Sequence, residues 1–326
     1  MDAAVSRRLL FEMLRIRLVE ETIADRYPEG EMRCPVHLSI GQEAVAVGVA
    51  ASLAADDCLM SAHRAHAHYL AKGGDLTALL AELYGRATGC SSGRGGSMHL
   101  VDLDVNMLGS TPIVGSALPV AVGTAFGAWQ QGRGGVTVVF VGEGATEQGV
   151  FAECLNFAAL KRLALVFVCE NNLYSVYSPL DVRQAPARDR AALATAHGIP
   201  TASGDGNDVE AVVAATLAAT ARARRGDGPT YLEFATYRWR EHCGPNYDND
   251  LGYRTEDEFE TWRARCPVAT YRDRLLASRV ISTADVAHME ATITAEIEDA
   301  FAEARGAPFP PAGELLANVY AEALDS

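Results

Sequence analysis

Two apolar runs joined by one helical segment constrain the fold of this chain more than any other feature. Residues 136–141 are β-branched and apolar, with glycine on both sides, and they predict a buried strand. Residues 148–162 follow a helical pattern, and residues 163–168 form a second apolar run. Strand, helix and strand at this spacing predict a βαβ unit, whose parallel strands end at the same edge of one sheet.

Polar residues follow both predicted strands. The first strand leads into Gly142-Glu143-Gly144-Ala145, and the second leads into Glu170-Asn171-Asn172-Leu173-Tyr174. Open parallel sheets bind ligands just beyond the carboxyl ends of their strands. A carboxylate and an amide at that edge suit a hard cation such as Mg²⁺, and glycines allow backbone amides to approach a diphosphate. The pattern therefore predicts a site for a divalent cation and a phosphorylated ligand.

The rest of the chain extends this α/β pattern. Helices are predicted over 5–26, 44–54, 75–87, 114–129 and 208–225, a further strand over 230–236, and a polar helical region after residue 255. We predict an α/β fold with a mostly parallel central sheet and helices on both faces. Residues 1–255 are expected to form this domain together with the N-terminal helix. Residues 256–326 are expected to form a helical C-terminal segment packed on it.

Composition excludes several functional classes. The net charge of −14 argues against partners that bind by phosphate neutralisation, such as nucleic acids, and against anionic membrane surfaces. No apolar run reaches the length of a membrane span. The seven cysteines are scattered without a Cys-x-x-Cys pair, which is typical of reduced thiols. We therefore expect a cytoplasmic protein.

Motif spacing indicates a family. Gly142-Glu143-Gly144 and Asn171-Asn172 are separated by 26 residues, and they match the thiamine-diphosphate signature Gly-Asp-Gly-x26-Asn-Asn except for the glutamate. Together with residues 61–69, 89–99 and 113–116, this region resembles the alpha subunit of the decarboxylating component of pyruvate, acetoin and branched-chain 2-oxo-acid dehydrogenases. The resemblance runs from about residue 8 to residue 319.

This resemblance implies a thiamine-diphosphate-binding fold and an acyl-transferring 2-oxo-acid dehydrogenase. Such an enzyme decarboxylates a pyruvate-like 2-oxo acid and passes the acyl group to a lipoyl acceptor. It also implies a separate beta subunit that supplies the aminopyrimidine half of the cofactor site, in an α2β2 heterotetramer. A lipoyl acyltransferase component is a further implied partner.

The resemblance assigns roles residue by residue. It implies that Glu143 and Asn172 bind magnesium through their side chains and Tyr174 through its backbone carbonyl. His37 and His242 correspond to catalytic histidines. The positions implied to contact thiamine diphosphate are His63, Arg64, Ile113, Val114, Gly142, Gly144, Ala145, Asn172 and His242.

Three departures from the family pattern bear on function. Relatives usually carry Asp at the position of Glu143 and Tyr at the position of His63. The loop that normally reads His-x-His-Ser is Arg240-Glu241-His242-Cys243 here, so its first histidine and its serine are absent. These changes leave the acyl acceptor open. The alternative is a two-subunit thiamine-diphosphate carboligase that makes acyloins.

Three other interpretations are weaker. A zinc cluster of His63, His66 and His68 lacks the usual ligand spacing, and His66 and His68 are also compatible with satisfied buried histidines. A nicotinamide dehydrogenase is suggested by the glycines at 93–96, but these follow a helix rather than a strand. A non-catalytic scaffold is disfavoured because Arg64, Glu143 and Asn172 are intact.

Overall fold

A parallel six-stranded sheet forms the centre of the protein. A computed structural model describes residues 1–314, and residues 315–326 lie outside the described part. The end of the predicted C-terminal segment and the end of the family resemblance therefore also lie outside it. The strand order is β2-β1-β3-β4-β8-β7, and every neighbouring pair is parallel. The strands of this sheet are β1 (Cys58–Ser61), β2 (Met107–Ser110), β3 (Thr137–Gly142), β4 (Leu165–Asn171), β7 (Thr201–Asp205) and β8 (Thr230–Ala235). A small antiparallel pair consists of β5 (Tyr174–Ser175) and β6 (Ser178–Pro179).

Helices surround the sheet, and polar side chains cap several of their N-termini. Asp208 accepts hydrogen bonds from the backbone of Glu210 and Ala211, and Ser282 and Asp285 form a capping box. The helices of the described part are α1 (Ala3–Arg26), α2 (Glu43–Ala50), α3 (His66–Ala71), α4 (Leu76–Leu83), α5 (Ala117–Gln130), α6 (Gly149–Lys161), α7 (Leu180–Arg183), α8 (Arg190–Ala196), α9 (Val209–Arg224), α10 (Glu256–Arg263), α11 (Pro267–Ala277) and α12 (Thr283–Gly306). Among residues 1–314, none of these helices combines the length and the apolar character that crossing a bilayer requires.

The predicted βαβ unit and the α/β fold are confirmed. β3, α6 and β4 occupy the predicted positions, with β3 and β4 paired in parallel. β1, β2 and β7 are not predicted by the sequence. β1 and β2 have four residues each, too few to establish a periodic pattern, and β7 is a largely exposed edge strand without apolar alternation.

Alternate side chains of the central strands enter two separate cores. Val138 and Phe140 of β3 belong to one core, which they share with α1, α2 and α9. Val139 and Val141 belong to the other, which they share with α5 and α6. Because successive strand residues point to opposite faces, this division places helices on both faces of the sheet. It also explains why β3 is a continuous apolar run.

The C-terminal helices pack on the first core. α12 lies against α1 and α4, and α11 lies against α1 and α2. Arg15 donates to Glu296 at 2.6 Å across the α1–α12 contact. Helical structure after residue 255 is thus present, whereas the boundary between the two predicted units stays a prediction.

A single carboxylate organises the glycine-rich loop that follows α4. Glu82 is buried, and its two oxygens accept four backbone N–H groups at 2.7–2.9 Å, from Ser91, Gly93, Gly95 and Gly96. Buried backbone donors need partners, and here a side chain supplies them in place of regular structure. The loop in turn positions the Ser97 hydroxyl, which lies 2.8 Å from His66 Nε2.

Glu82→Gln should destabilise the protein, because an amide nitrogen would face two backbone donors that now have an acceptor. We expect the free energy of unfolding to fall by about 2–4 kcal/mol in urea titrations. Amide hydrogen exchange should accelerate at residues 91–96. Glu260→Gln is the control, since Glu260 forms only an exposed pair with Arg263, and its loss should cost less than about 0.5 kcal/mol. Equal effects of the two substitutions would contradict this role of Glu82.

Candidate functional site

The candidate site lies where the direction of strand progression reverses. From β1 the chain adds β2 on one side of β1 and then returns to add β3 on the other side. Connections that leave β1 and β3 in opposite directions open a crevice outside their carboxyl ends. The sheet topology therefore sets the position of a ligand site before any side chain is considered.

Five strand ends contribute to this crevice. His63 and Arg64 follow β1, and Ile113 and Val114 follow β2. Gly142 ends β3, and residues 143–145 follow it. Asn172 follows β4, and His242 lies beyond β8. Every residue that the family resemblance assigns to the cofactor or to magnesium lines this one crevice: His63, Arg64, Ile113, Val114, Gly142, Glu143, Gly144, Ala145, Asn172, Tyr174 and His242.

Glu143 and Asn172 stand on neighbouring strand ends. Gly142 pairs with Glu170 in the sheet, so the residues that follow them are brought to the same edge. Glu143 is 1% exposed and receives a hydrogen bond from Arg183 Nη2 at 2.6 Å. Burial raises the pKa of the Glu143 carboxyl, and the Arg183 cation opposes that shift.

The amide of Asn172 is oriented by two contacts. Its Nδ2 donates to Gln42 Oε1 at 3.1 Å, and its Oδ1 accepts from the Tyr174 backbone N–H at 3.2 Å. An amide oxygen can accept a second interaction, so one remains for a cation. Neither Gln42 nor Arg183 is among the sequence-predicted site residues.

Arg64 places a positive charge inside the crevice. It is buried and donates to the backbone oxygens of Leu38 at 2.6 Å and His242 at 3.0 Å. Within residues 1–314 no carboxylate forms an ion pair with it. Burial and the nearby Arg238 lower the pKa of Arg64 to about 9, so it is still a cation at neutral pH. A buried cation without a carboxylate partner is suited to an anionic ligand.

Three histidines meet beside Arg64. The ring centroids of His37, His63 and His242 lie 5.0–5.2 Å apart, and ring nitrogens of all three lie within 4.8 Å of one another. His37 is not part of the crevice lining but touches both other rings. Its buried Nδ1 has no hydrogen-bond partner among the described residues, so it has capacity for a ligand.

These imidazoles are neutral in the folded chain. Burial, followed by the Arg64 charge, lowers all three pKa values: His37 to about 2, His63 to about 4 and His242 to about 3. The same positive field opposes a metal ion at this cluster. Neutral rings can both donate and accept hydrogen bonds, which suits contacts to a phosphate or to a reacting carbonyl group.

The zinc cluster of His63, His66 and His68 does not assemble. His66 lies between Glu20 at 2.6 Å and Ser97 at 2.8 Å. His68 lies between the Ser61 hydroxyl at 2.7 Å and the Glu170 carboxylate at 3.2 Å. His66 and His68 are therefore satisfied buried histidines, which was the alternative to zinc binding. Of the three, His63 alone joins another cluster, the one with His37 and His242.

The residues of the crevice fit a magnesium diphosphate. A carboxylate and an amide oxygen offer the donor chemistry that Mg²⁺ prefers, and the backbone at Gly142 faces open space. Arg64 supplies the positive charge for the diphosphate. Ile113 and Val114 are 70% and 47% exposed at the rim, where an apolar ring system or a partner chain can cover them.

His63→Phe should change how stability depends on pH. The pKa of His63 in the folded chain is about 4, below the ordinary value of about 6.5. Between these two pH values the unfolded chain therefore binds more protons than the folded chain. The free energy of unfolding consequently falls as the pH drops through 6.5. Removing this imidazole should reduce the slope of unfolding free energy against pH by up to about 1.4 kcal/mol per pH unit over that window. Urea titrations from pH 7.5 to pH 4.5 measure it, with the exposed His288→Gln as control. Identical slopes in His63→Phe and the native chain would show that His63 binds its proton as readily in the folded chain as in the unfolded chain, which would contradict the lowered pKa.

Comparison with known proteins is consistent with this site. A family described as the dehydrogenase E1 component matches residues 11–313. The alpha subunit of acetoin:2,6-dichlorophenolindophenol oxidoreductase from Bacillus subtilis (strain 168) is 39% identical over 313 residues, which cover 95% of this chain and 91% of that protein. The chloroplastic pyruvate dehydrogenase E1 component subunit alpha-3 from Arabidopsis thaliana is 37% identical, covering 95% of this chain and 73% of that protein. The pyruvate dehydrogenase E1 component subunit alpha from Rickettsia felis is 35% identical, covering 95% and 94%. The chain belongs to the dehydrogenase E1 component family, and the resemblance of its motifs to the alpha subunits of thiamine-diphosphate-dependent 2-oxo-acid dehydrogenases is confirmed.

Proposed function

We propose that this chain is the alpha subunit of a thiamine-diphosphate-dependent 2-oxo-acid dehydrogenase. The enzyme decarboxylates a pyruvate-like 2-oxo acid and transfers the acyl group to a lipoyl acceptor. In this proposal it binds the diphosphate of the cofactor through magnesium. It acts with a beta subunit in an α2β2 heterotetramer, in the cytoplasm, where its seven unpaired thiols would stay reduced.

One observation carries this proposal. Arg64 is buried and has no carboxylate partner within residues 1–314. It faces the same crevice as the buried Glu143 and the oriented Asn172, although the three residues follow three different strands. An anion-binding cation beside a pair of oxygen ligands is the arrangement that a metal-bound diphosphate requires. The family membership of the chain gives independent support.

Each group has a separate task in the proposal. Glu143 and Asn172 hold the metal ion by their side-chain oxygens, and Tyr174 holds it by its carbonyl oxygen. Arg64 and His63 contact the diphosphate, while Gly142, Gly144 and Ala145 allow the backbone to approach it. Ile113 and Val114 contact the aminopyrimidine from the rim. Thiamine diphosphate, when bound, supplies the electron sink for decarboxylation.

His37 and His242 are proposed to handle protons. Both rings are neutral, and they are in edge contact with a centroid separation of 5.1 Å. The unpartnered Nδ1 of His37 can donate to or accept from an oxygen of the substrate. An anionic diphosphate beside Arg64 would offset the positive charge, which is the second cause of both lowered pKa values after burial.

Exposed apolar side chains support a partner chain. Phe126 stacks on Trp129 and meets Phe157 edge-on, joining α5 to α6. Trp129 is 52% exposed and Leu160 of α6 is 72% exposed. An exposed apolar group of this kind on a helix pair is typical of a subunit interface.

The acyl acceptor has a second candidate. The loop at 240–247 departs from the family pattern and is held by its own contacts: Arg240 lies over the Tyr247 ring at 4.2 Å, and Glu241 accepts from Asn246 at 2.8 Å. This altered loop leaves open the alternative of a carboligase, in which a second carbonyl compound replaces the lipoyl group. Acetoin is a further candidate substrate, because a relative that is 39% identical is named as an acetoin:2,6-dichlorophenolindophenol oxidoreductase subunit.

Asn172→Ala should abolish cofactor binding while leaving the fold intact. With thiamine diphosphate and Mg²⁺ at about 100 times the dissociation constant, the native chain, assembled with its beta subunit, should gain about 2.7 kcal/mol of stability. The variant should gain less than about 0.5 kcal/mol, because the metal loses one of its ligands. Asn156→Ala, on the exposed face of α6, is the matched control and should behave as the native chain. Equal ligand-induced stabilisation in Asn172→Ala would remove the metal site from the proposal.

The acceptor is tested with the chain and its beta subunit together. Pyruvate and a purified lipoyl domain should yield acylated lipoyl domain, while pyruvate paired with an aldehyde should yield little acyloin. Acetoin replaces pyruvate in a parallel reaction. Acyloin formation faster than lipoyl acylation would favour the carboligase, and the alpha chain without its partner should turn over neither substrate.

A further inference from the structure

Arg183 connects a separate segment to the proposed magnesium ligand. It ends α7, which follows the small β5–β6 pair. Its Nη2 donates to Glu143 at 2.6 Å, its Nη1 donates to Glu147, and its Nε donates to the Ser178 carbonyl at 2.9 Å. All three guanidinium nitrogens are therefore used, and they hold residues 175–184 against the turn between β3 and α6, Glu143–Glu147.

This contact is shielded from water. The side chain of Glu143 is 2% exposed and that of Arg183 is 11% exposed. Close packing reinforces it, because a Cβ at Gly144 would lie 2.9 Å from the Ser175 hydroxyl oxygen. Separating a buried ion pair leaves one charge without a partner, so the pair persists until another cation replaces Arg183.

Arg183 and a divalent ion compete for the same carboxylate. A metal bound by Glu143 and Asn172 needs the Glu143 oxygens, one of which now accepts from Arg183. The ion would also place two positive charges within a few ångströms of the guanidinium, and like charges repel strongly at a buried site. Glu143 could offer its second oxygen to the ion, but repulsion between two cations at one buried carboxylate favours release of Arg183 when the ion binds.

We propose that Arg183 is a latch: it neutralises Glu143 before metal binding and must release this carboxylate when the ion arrives. Metal loading is then coupled to release of residues 175–184 from the β3–α6 turn. The inference rests on the proposed magnesium site and adds a residue that sets how tightly that site binds its ion. Glu147 keeps Arg183 nearby after release, because the guanidinium already bridges both carboxylates.

The test is manganese binding, followed by electron paramagnetic resonance of free Mn²⁺ in the presence of thiamine diphosphate. The full-length chain, assembled with its beta subunit, is compared with Arg183→Gln and with Arg188→Gln in the same assembly. Arg188 belongs to the same region, and within residues 1–314 its side chain donates a hydrogen bond only to the Thr146 carbonyl, so its replacement controls for loss of one positive charge.

Arg183→Gln should bind Mn²⁺ about tenfold more tightly, the factor expected if the latch is closed in about nine of ten metal-free molecules. Arg188→Gln should bind like the native chain. Unchanged or weaker binding in Arg183→Gln would overturn the latch, and weaker binding would make Arg183 a ligand of the diphosphate instead. Equal tightening in both variants would also overturn it, as a general charge effect. If no chain binds Mn²⁺, the proposed magnesium site itself fails, and the latch with it.

Discussion

Parallel pairing of β1, β3 and β4 is the constraint on which the rest of this structure depends. Because the three strands run in the same direction, the polar residues that follow them meet at one edge of the sheet. The reversal of strand order between β1 and β3 opens a crevice at that edge. Apolar side chains bury both faces of the sheet, so the strand ends are fixed and the polar groups on them are held in place.

Electrostatics then decides what this crevice can bind. Burial, followed by the Arg64 charge, lowers the pKa of His37, His63 and His242, so these rings are neutral. The Arg64 charge also attracts an anion. On the opposite side, Glu143 is a buried carboxylate whose desolvation is offset by a cation, Arg183 in the present structure. A magnesium diphosphate satisfies both needs at once, since the anion meets Arg64 and the cation meets Glu143.

The sequence predicted those elements and site residues whose signal lies within a short stretch of the chain. The β3–α6–β4 unit was predictable because its strands are long, apolar and bounded by glycine, and Glu143 and Asn172 followed from its geometry. β1 and β2 were not predictable, because four residues carry no usable period, and their position beside β3 depends on the whole sheet. The contact between Arg183 and Glu143 joins residues 40 apart in sequence and has no motif, so nothing short of the fold reveals it. In the same way, His63 contacts His37 and His242 rather than its sequence neighbours His66 and His68.

The most direct measurement is anomalous diffraction from crystals of the chain with its beta subunit, grown with Mn²⁺ and thiamine diphosphate. We expect one manganese peak about 2.2 Å from a Glu143 carboxylate oxygen and from Asn172 Oδ1, which is coordination distance. The diphosphate should lie beside Arg64. A manganese peak at the three histidines, or a diphosphate bound away from the ends of β1 and β3, would contradict it.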